Sequence, residues 1–324
     1  MMSKVTVIIA VSLIVIGLAI LLGVLISCNF NFKNLSTAGF QSKTYNFTET
    51  VESLSVTTNT ADVELIFSED GSWRVECYEQ EKLPHTVRLE NGKLVIAVDD
   101  QRAWYDYLGI HFSSPKITVY LPRTTLSAFE ADIGTGKLCV PSNFSFESSK
   151  VTCSTGDINW AASVSGKLNL EATTGDIQVS EISVGNMRLS VTTGDITAQA
   201  ITCEGDAAIH VSTGDAKVSD LTCANLSCDG STGDAMFNNV VASGKLTILR
   251  STGDVHLENC DGQTLSLKTS TGDIIGSLLS EKIYITETST GTVCVPKSTV
   301  GGLCEITTST GDIYVTHPVA AQTE

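Results

Sequence analysis

The sequence predicts an all-β protein: a parallel β-solenoid (β-helix) of about ten coils of 19–20 residues, behind an N-terminal transmembrane helix and an irregular β cap region. Three observations predict it. A Thr-Gly pair recurs at a nearly fixed interval from about residue 134 to about residue 313. Apolar residues flank each pair at spacings of two, the period of a strand. Within the repeats no run reaches helical length or shows a 3.6-residue period.

The elements follow in chain order. Residues 1–4 are a stub carrying Lys4, and residues 5–27 are a 23-residue run without a charge. At about 1.5 Å per residue the run is roughly 35 Å long, enough to cross a bilayer. Lys4 and the free amine place the amino terminus in the cytoplasm and the body after Asn29 outside. The expected location is therefore the cell membrane, single-pass, with an extracytoplasmic body. Leu25-Ile26-Ser27-Cys28 also resembles a bacterial lipoprotein cleavage box, which makes Cys28 a candidate lipidation site and the helix its signal. Residues 28–43 read as a linker.

Residues 44–130 alternate strand patterns with turns, and 14 of the chain's 20 aromatic residues lie before residue 131. They read as a β-rich cap over the open end of the solenoid, which repeat proteins require, or as its first irregular coils. Asn59-Thr60-Ala61-Asp62-Val63 looks like a degenerate copy of the repeated corner. Trp104, Tyr105, Tyr107 and Phe112 cluster between two strands: as a loop they are candidates for gripping a partner or glycan, as a hairpin they are simply packed.

Residues 131–316 carry the repeat, and 317–324 are a tail. The glycines fall at 136, 156, 175, 194, 214, 233, 253, 272, 291 and 311, each preceded by threonine. Aspartate follows in eight copies, as Asp157, Asp176, Asp195, Asp215, Asp234, Asp254, Asp273 and Asp312; Lys137 and Thr292 depart from it. Positions two and four after and five and seven before the glycine are apolar, so each copy is two or three short strands with one apolar face. Such a unit hides that face only by stacking on its neighbours. The glycine supplies a backbone position that a Cβ would strain, the threonines form a ladder of hydroxyls up the rod, and the aspartate accepts from backbone N–H groups. The wobble between 19 and 20 residues belongs in a loop, because strand register tolerates no slip.

Eight carboxylates about 4.8 Å apart repel one another, so the column faces water, is hydrogen-bonded, or holds cations. Solvated corners are the bland reading. A calcium column is the sharper one, although calcium needs six to eight oxygens. A glycosidase pair needs two unlike carboxylates, and the repeat makes these alike. Neither a Cys-x-x-Cys pair nor a histidine cluster suggests zinc, and no cofactor motif is present. Cys228 and Cys260 fall on inward positions. Cys203 and Cys223 lie on adjacent coils, within disulfide range of each other.

Charge is uneven: 10 Lys and Arg against 14 Asp and Glu in residues 1–130, then 10 against 22. That acidity excludes nucleic acid as a partner and electrostatic adhesion to an anionic lipid surface.

The recurring [Ser/Thr]-Thr-Gly-Asp-[Ile/Val] copies, the Lys-Ile-Thr-Val-Tyr-Leu-Pro stretch at 116–122 and the amino-terminal apolar segment resemble the bacterial putative-adhesin family of β-strand repeat proteins, domain of unknown function 4097 (DUF4097). The resemblance covers roughly residues 45–316 and implies an envelope-located β-solenoid, in some members linked to envelope stress responses, with no catalytic motif. The expectation is a non-catalytic, membrane-anchored adhesion or envelope-scaffold protein whose partner is an envelope component, a glycan or a protein. The alternatives are a carbohydrate-active enzyme on a β-helix and a calcium-stabilised surface rod.

Overall fold

The computed structural model describes residues 4–27, 39–103, 114–122 and 125–317. Lys4–Ser27 is a single α-helix. Its stretch Ile9–Ser27 is long and apolar enough to cross a membrane, and none of it is buried against the rest of the described chain. From Phe40 onward the described residues form one wound β-sheet. It is the expected β-solenoid.

Each regular coil has three sides. One strand leads into the glycine, a second runs from two residues after it, and a third begins seven after it, as Leu168–Leu170, Ile177–Val179 and Ile182–Val184 illustrate. Corresponding residues pair in parallel from coil to coil. Inward side chains stack in files: Ile158, Ile177, Ile196, Ala216, Ala235, Val255 and Ile274 are all 0 % exposed. Burial of each isoleucine there stabilises the stack by about 1.5–3 kcal/mol.

Three corners separate the sides. At the first, each repeat glycine has φ between 117° and 151°. A Cβ on Gly156, Gly214 or Gly272 would overlap the carbonyl oxygen of the glycine one tier below, so the corner admits no other residue. At the second, six residues on, Glu181, Ala200, Asp220, Asn239 and Asn259 take left-handed φ of 52–57°. At the third the register shifts, between Val164 and Lys167 and between Ala242 and Lys245. The 19/20 wobble is absorbed there.

Chain order and stacking order part company at the ends. Residues 44–130 supply two more coils: Ser53–Thr58 with Asp62–Phe67, and Lys93–Val98 with Lys116–Leu121. The earlier one lies inside. It pairs with the coil of Thr125–Thr135 and Leu138–Val140 on one side and with the later one on the other. At the far end the last coil, Gly302–Thr310 with Ile313–Thr316, is inserted between its two predecessors. It pairs with residues 265–268 and 274–277 below and with Lys282–Thr290 and Val293–Cys294 above. The first and the last coil in chain order are thus each clamped between two tiers.

The two ends are finished differently. Antiparallel strands close the first: His85–Glu90 covers Lys93–Val98, and Trp73–Gln80, itself covered by Phe40–Phe47, covers Lys116–Leu121. Among the described residues nothing pairs with the outer edge of Lys282–Thr290. We refer to these as the closed and open ends.

Candidate interaction surface

The aspartate column is a continuous hydrogen-bond ladder. Oδ1 of Asp157, Asp176, Asp195, Asp215, Asp234 and Asp254 each accepts from the backbone N–H of the aspartate one tier up, at 2.8–3.2 Å. Asp273 accepts from Asp312 N at 2.7 Å, and Asp312 from Thr292 N at 2.6 Å. The ladder therefore follows the stacking order. Asp62 Oδ1 takes the Lys137 N–H in the same way, so the degenerate corner is a true corner.

The departures now have reasons. Thr292 stands in the outermost coil, where among the described residues no N–H lies above to be accepted. Lys137 leaves the next amide unserved and places its ammonium 3.8 Å from Asp157 instead. The corner threonines do stack in register, but their hydroxyls make no hydrogen bond; the carboxylates form the ladder expected of them. Lys217 bridges Oδ2 of Asp195 and Asp215 at 3.2 and 3.3 Å. The Asp215 amide, ahead of this lysine, holds Asp195 below the usual carboxylate range.

Among the described residues no cysteine is bridged to another. Cys203 and Cys223 occupy one file and both are buried and free. Burial raises the Cys203 thiol and pushes Cys223 up to about 12. Cys228 and Cys260 are 0 % exposed, with thiols pushed by burial to about 12 and about 11. Cys28, Trp104, Tyr105, Tyr107 and Phe112 lie outside the described residues.

Sequence reasoning missed the network that holds the closed end. Glu79, 0 % exposed, takes four donors: Lys43 Nζ at 3.0 Å and Gln41 Nε2 at 3.4 Å on Oε1, and the His85 amide at 2.6 Å and His85 Nδ1 at 3.0 Å on Oε2. His85 Nε2 then accepts from the Thr58 hydroxyl at 3.0 Å, which ties the cap to the inner coil. Burial holds His85 below its ordinary pKa. Cys77, Glu79 and His85 bring their ligand atoms within 4.8 Å of one another, the one such trio among the described residues. With Lys43 already beside it, Glu79 is filled by protein donors. The three residues come from different strand positions, and no sequence spacing announces them.

The open end has another character. Among the described residues outside the helix, eleven of the twelve large apolar side chains exposed by 36 % or more lie between Met236 and Tyr314, so the exposed apolar surface described gathers in that half of the rod. Lys217, Met236, His256, Ile275 and Tyr314 form one outward file along the second side, and the first four line a groove of about 630 Å³. On Lys282–Thr290, Ile283 and Ile285 face solvent, 41 % and 56 % exposed. Beside them Tyr284, Val293, Val295 and Pro296 line a hollow of about 610 Å³. The Tyr284 hydroxyl is buried there without a hydrogen-bond partner, and burial pushes its pKa up to about 12. Beneath, Lys282 Nζ reaches Asp261 at 2.6 Å, Ser280 at 2.7 Å and the Gly262 carbonyl at 2.8 Å, fixing the point where the chain leaves for the outer tier.

The family model described as Toastrack DUF4097 matches residues 51–210 and 205–324, nearly the whole β body. The chain belongs to this family. Among solved structures, the Toastrack chain is similar to a putative adhesin from Parabacteroides merdae, 13 % identical over 76 % of this chain and 98 % of that one, with a TM-score of 0.50. It also resembles a putative adhesin and a putative lipid binding protein from Parabacteroides distasonis. These are 14 % and 16 % identical, cover 87 % and 74 % of this chain and 98 % and 95 % of theirs, and have TM-scores of 0.49 and 0.47. At 13 % identity the likeness to the Parabacteroides merdae structure speaks for the fold alone. No curated protein matches the sequence.

Proposed function

We propose that this Toastrack protein is a membrane-anchored rod that holds a non-catalytic binding surface away from the membrane, as an adhesion or envelope-scaffold module. The observation that carries the reading is the polarity of the rod. Its closed end follows the apolar helix after only residues 28–38, a link of at most about 40 Å, while the apolar surface exposed among the described residues gathers at the other end. Exposed apolar patches mark interaction sites. An uncleaved helix as single-pass anchor, with the body outside the cell, fits this polarity.

The non-catalytic part is supported by the sameness of the carboxylates. Each spends Oδ1 on an equivalent amide, whereas acid–base catalysis needs two carboxylates in unlike surroundings. The same bonding argues against calcium, since it leaves at most one free carboxylate oxygen per tier where six to eight ligand oxygens are required. The test is full-length protein in vesicles incubated with native envelope material. Ile275→Lys with Tyr314→Ala is expected to lower binding at least tenfold without moving the melting curve. Unchanged binding contradicts the reading.

A further inference from the structure

We infer that the open edge pairs with the open edge of a second copy, antiparallel about a two-fold axis, so that two rods join tip to tip. The inference rests on the open end being the binding end and names its partner. Thr290 C=O accepts from the Gly311 N–H of the inner coil. In a parallel ladder each residue bonds to one side only, so even-numbered residues face inward along the stack. Ile283, Ile285 and Glu287 then present their backbone N–H and C=O groups at the unpaired edge. This nine-residue strand, Lys-Ile-Tyr-Ile-Thr-Glu-Thr-Ser-Thr, is rich in β-branched residues, and with Lys282 buried it carries a single exposed charge, Glu287, and no exposed lysine, arginine or proline among the guards that native edges use. The outer strands of the closed end have them, with Lys43 on one and the Arg88–Glu90 pair on the other. Pairing therefore stops at two copies and builds no filament.

Charge favours a second copy over an acidic or basic partner. Residues 131–280 hold 8 Lys and Arg against 17 Asp and Glu, but residues 281–304 hold two of each. Thr292 also withdraws the last carboxylate of the column from the junction. Across it the nearest Asp312 side chains stand three tiers apart, at least about 14 Å, beyond the ~8 Å Debye length at physiological salt. The pairing sets Ile283 and Ile285 of one copy beside those of the other.

The experiment uses full-length protein, rods outward, in two differently labelled pools of phosphatidylcholine vesicles, read by co-clustering. Wild-type pools are expected to co-cluster. Ile285→Lys in both pools, or Ile285→Glu in both, is expected to reduce co-clustering at least tenfold, and a Lys pool mixed with a Glu pool to recover most of it. The mixture contains the same two variants, so recovery separates lost pairing from lost folding. Wild-type pools that stay apart, or a mixture that does not recover, overturn the inference. If in that case Ile285→Lys still weakens binding to envelope material, the open end survives as the binding end and only the second copy is lost; if it does not, both fall.

Discussion

At both ends of the rod the chain performs the same manoeuvre, passing to the outermost tier and tucking its terminal coil one tier inside. At the closed end the outer tier is then covered by antiparallel strands and locked by a buried carboxylate with four donors. At the open end a buried lysine fixes the departure of the chain, and the outer strand is left bare with two exposed isoleucines. The lesson is that a solenoid can be ended in two ways with one topology. Covering the edge gives stability, and leaving it gives a surface.

That contrast can be broken from either side. The largest effect is expected from Glu79→Ala, which leaves the buried His85 amide and ring N–H without an acceptor at about 1–3 kcal/mol each, while Lys43, 38 % exposed, turns to water. Hydrogen exchange of the full chain should show lost protection over residues 40–98 and unchanged protection beyond residue 200, because solenoid tiers feel mainly their neighbours. Lys282→Ala should do the reverse at the open end, costing about 2–3 kcal/mol, with the loss confined to residues 260–316.

Acid should separate the ends. Burial depresses the folded pKa of His85 below its ordinary value of 6.5, so the unfolded chain binds the proton more readily. The stability this residue contributes is present above pH 6.5 and lost as pH falls through the folded value. At the open end burial alone would raise Asp261, but bonds from Lys282, Ser280 and the Gly262 amide hold it below 3.8. Its contribution is present above 3.8 and lost only as pH falls further. Exchange measured from pH 7 to pH 4.5 should therefore loosen the cap first.

Smaller effects are expected along the column. Asp234→Ala, which orphans the Asp254 amide, should cost about 1 kcal/mol, and Asp234→Asn, which keeps an acceptor, less than half of that. Thr292→Asp should be neutral within about 0.5 kcal/mol, because no amide stands above it. Chelation should leave all of these melting curves where they were.

The corners were legible because they are local and repeated. A glycine every 19–20 residues with alternating apolar flanks fixes coil, register and inward file together, and Asn59–Val63 could be read as a worn copy of the same unit. The stacking order at the ends was not legible, since any coil carries the same pattern and can sit on any other. Its one trace was the loss of aspartate at Lys137 and Thr292. The Glu79 network was hidden for a different reason: Lys43, Thr58, Glu79 and His85 meet only after four strands have assembled. The bare edge was equally silent, because a strand at a rim reads like one within the stack.

Everything said of the open end depends on residues 282–294 being outermost, and a cysteine pair tests that most directly. In full-length protein with Cys28 and Cys294 changed to serine, Ser270→Cys should oxidise with Ser309→Cys, its neighbour through the Ser309 N–Ser270 O bond of 3.1 Å. Ser270→Cys should not oxidise with Ser289→Cys, two tiers away, as read by peptide mapping. A Ser270–Ser289 link in place of the Ser270–Ser309 link would restore simple chain order and contradict the account.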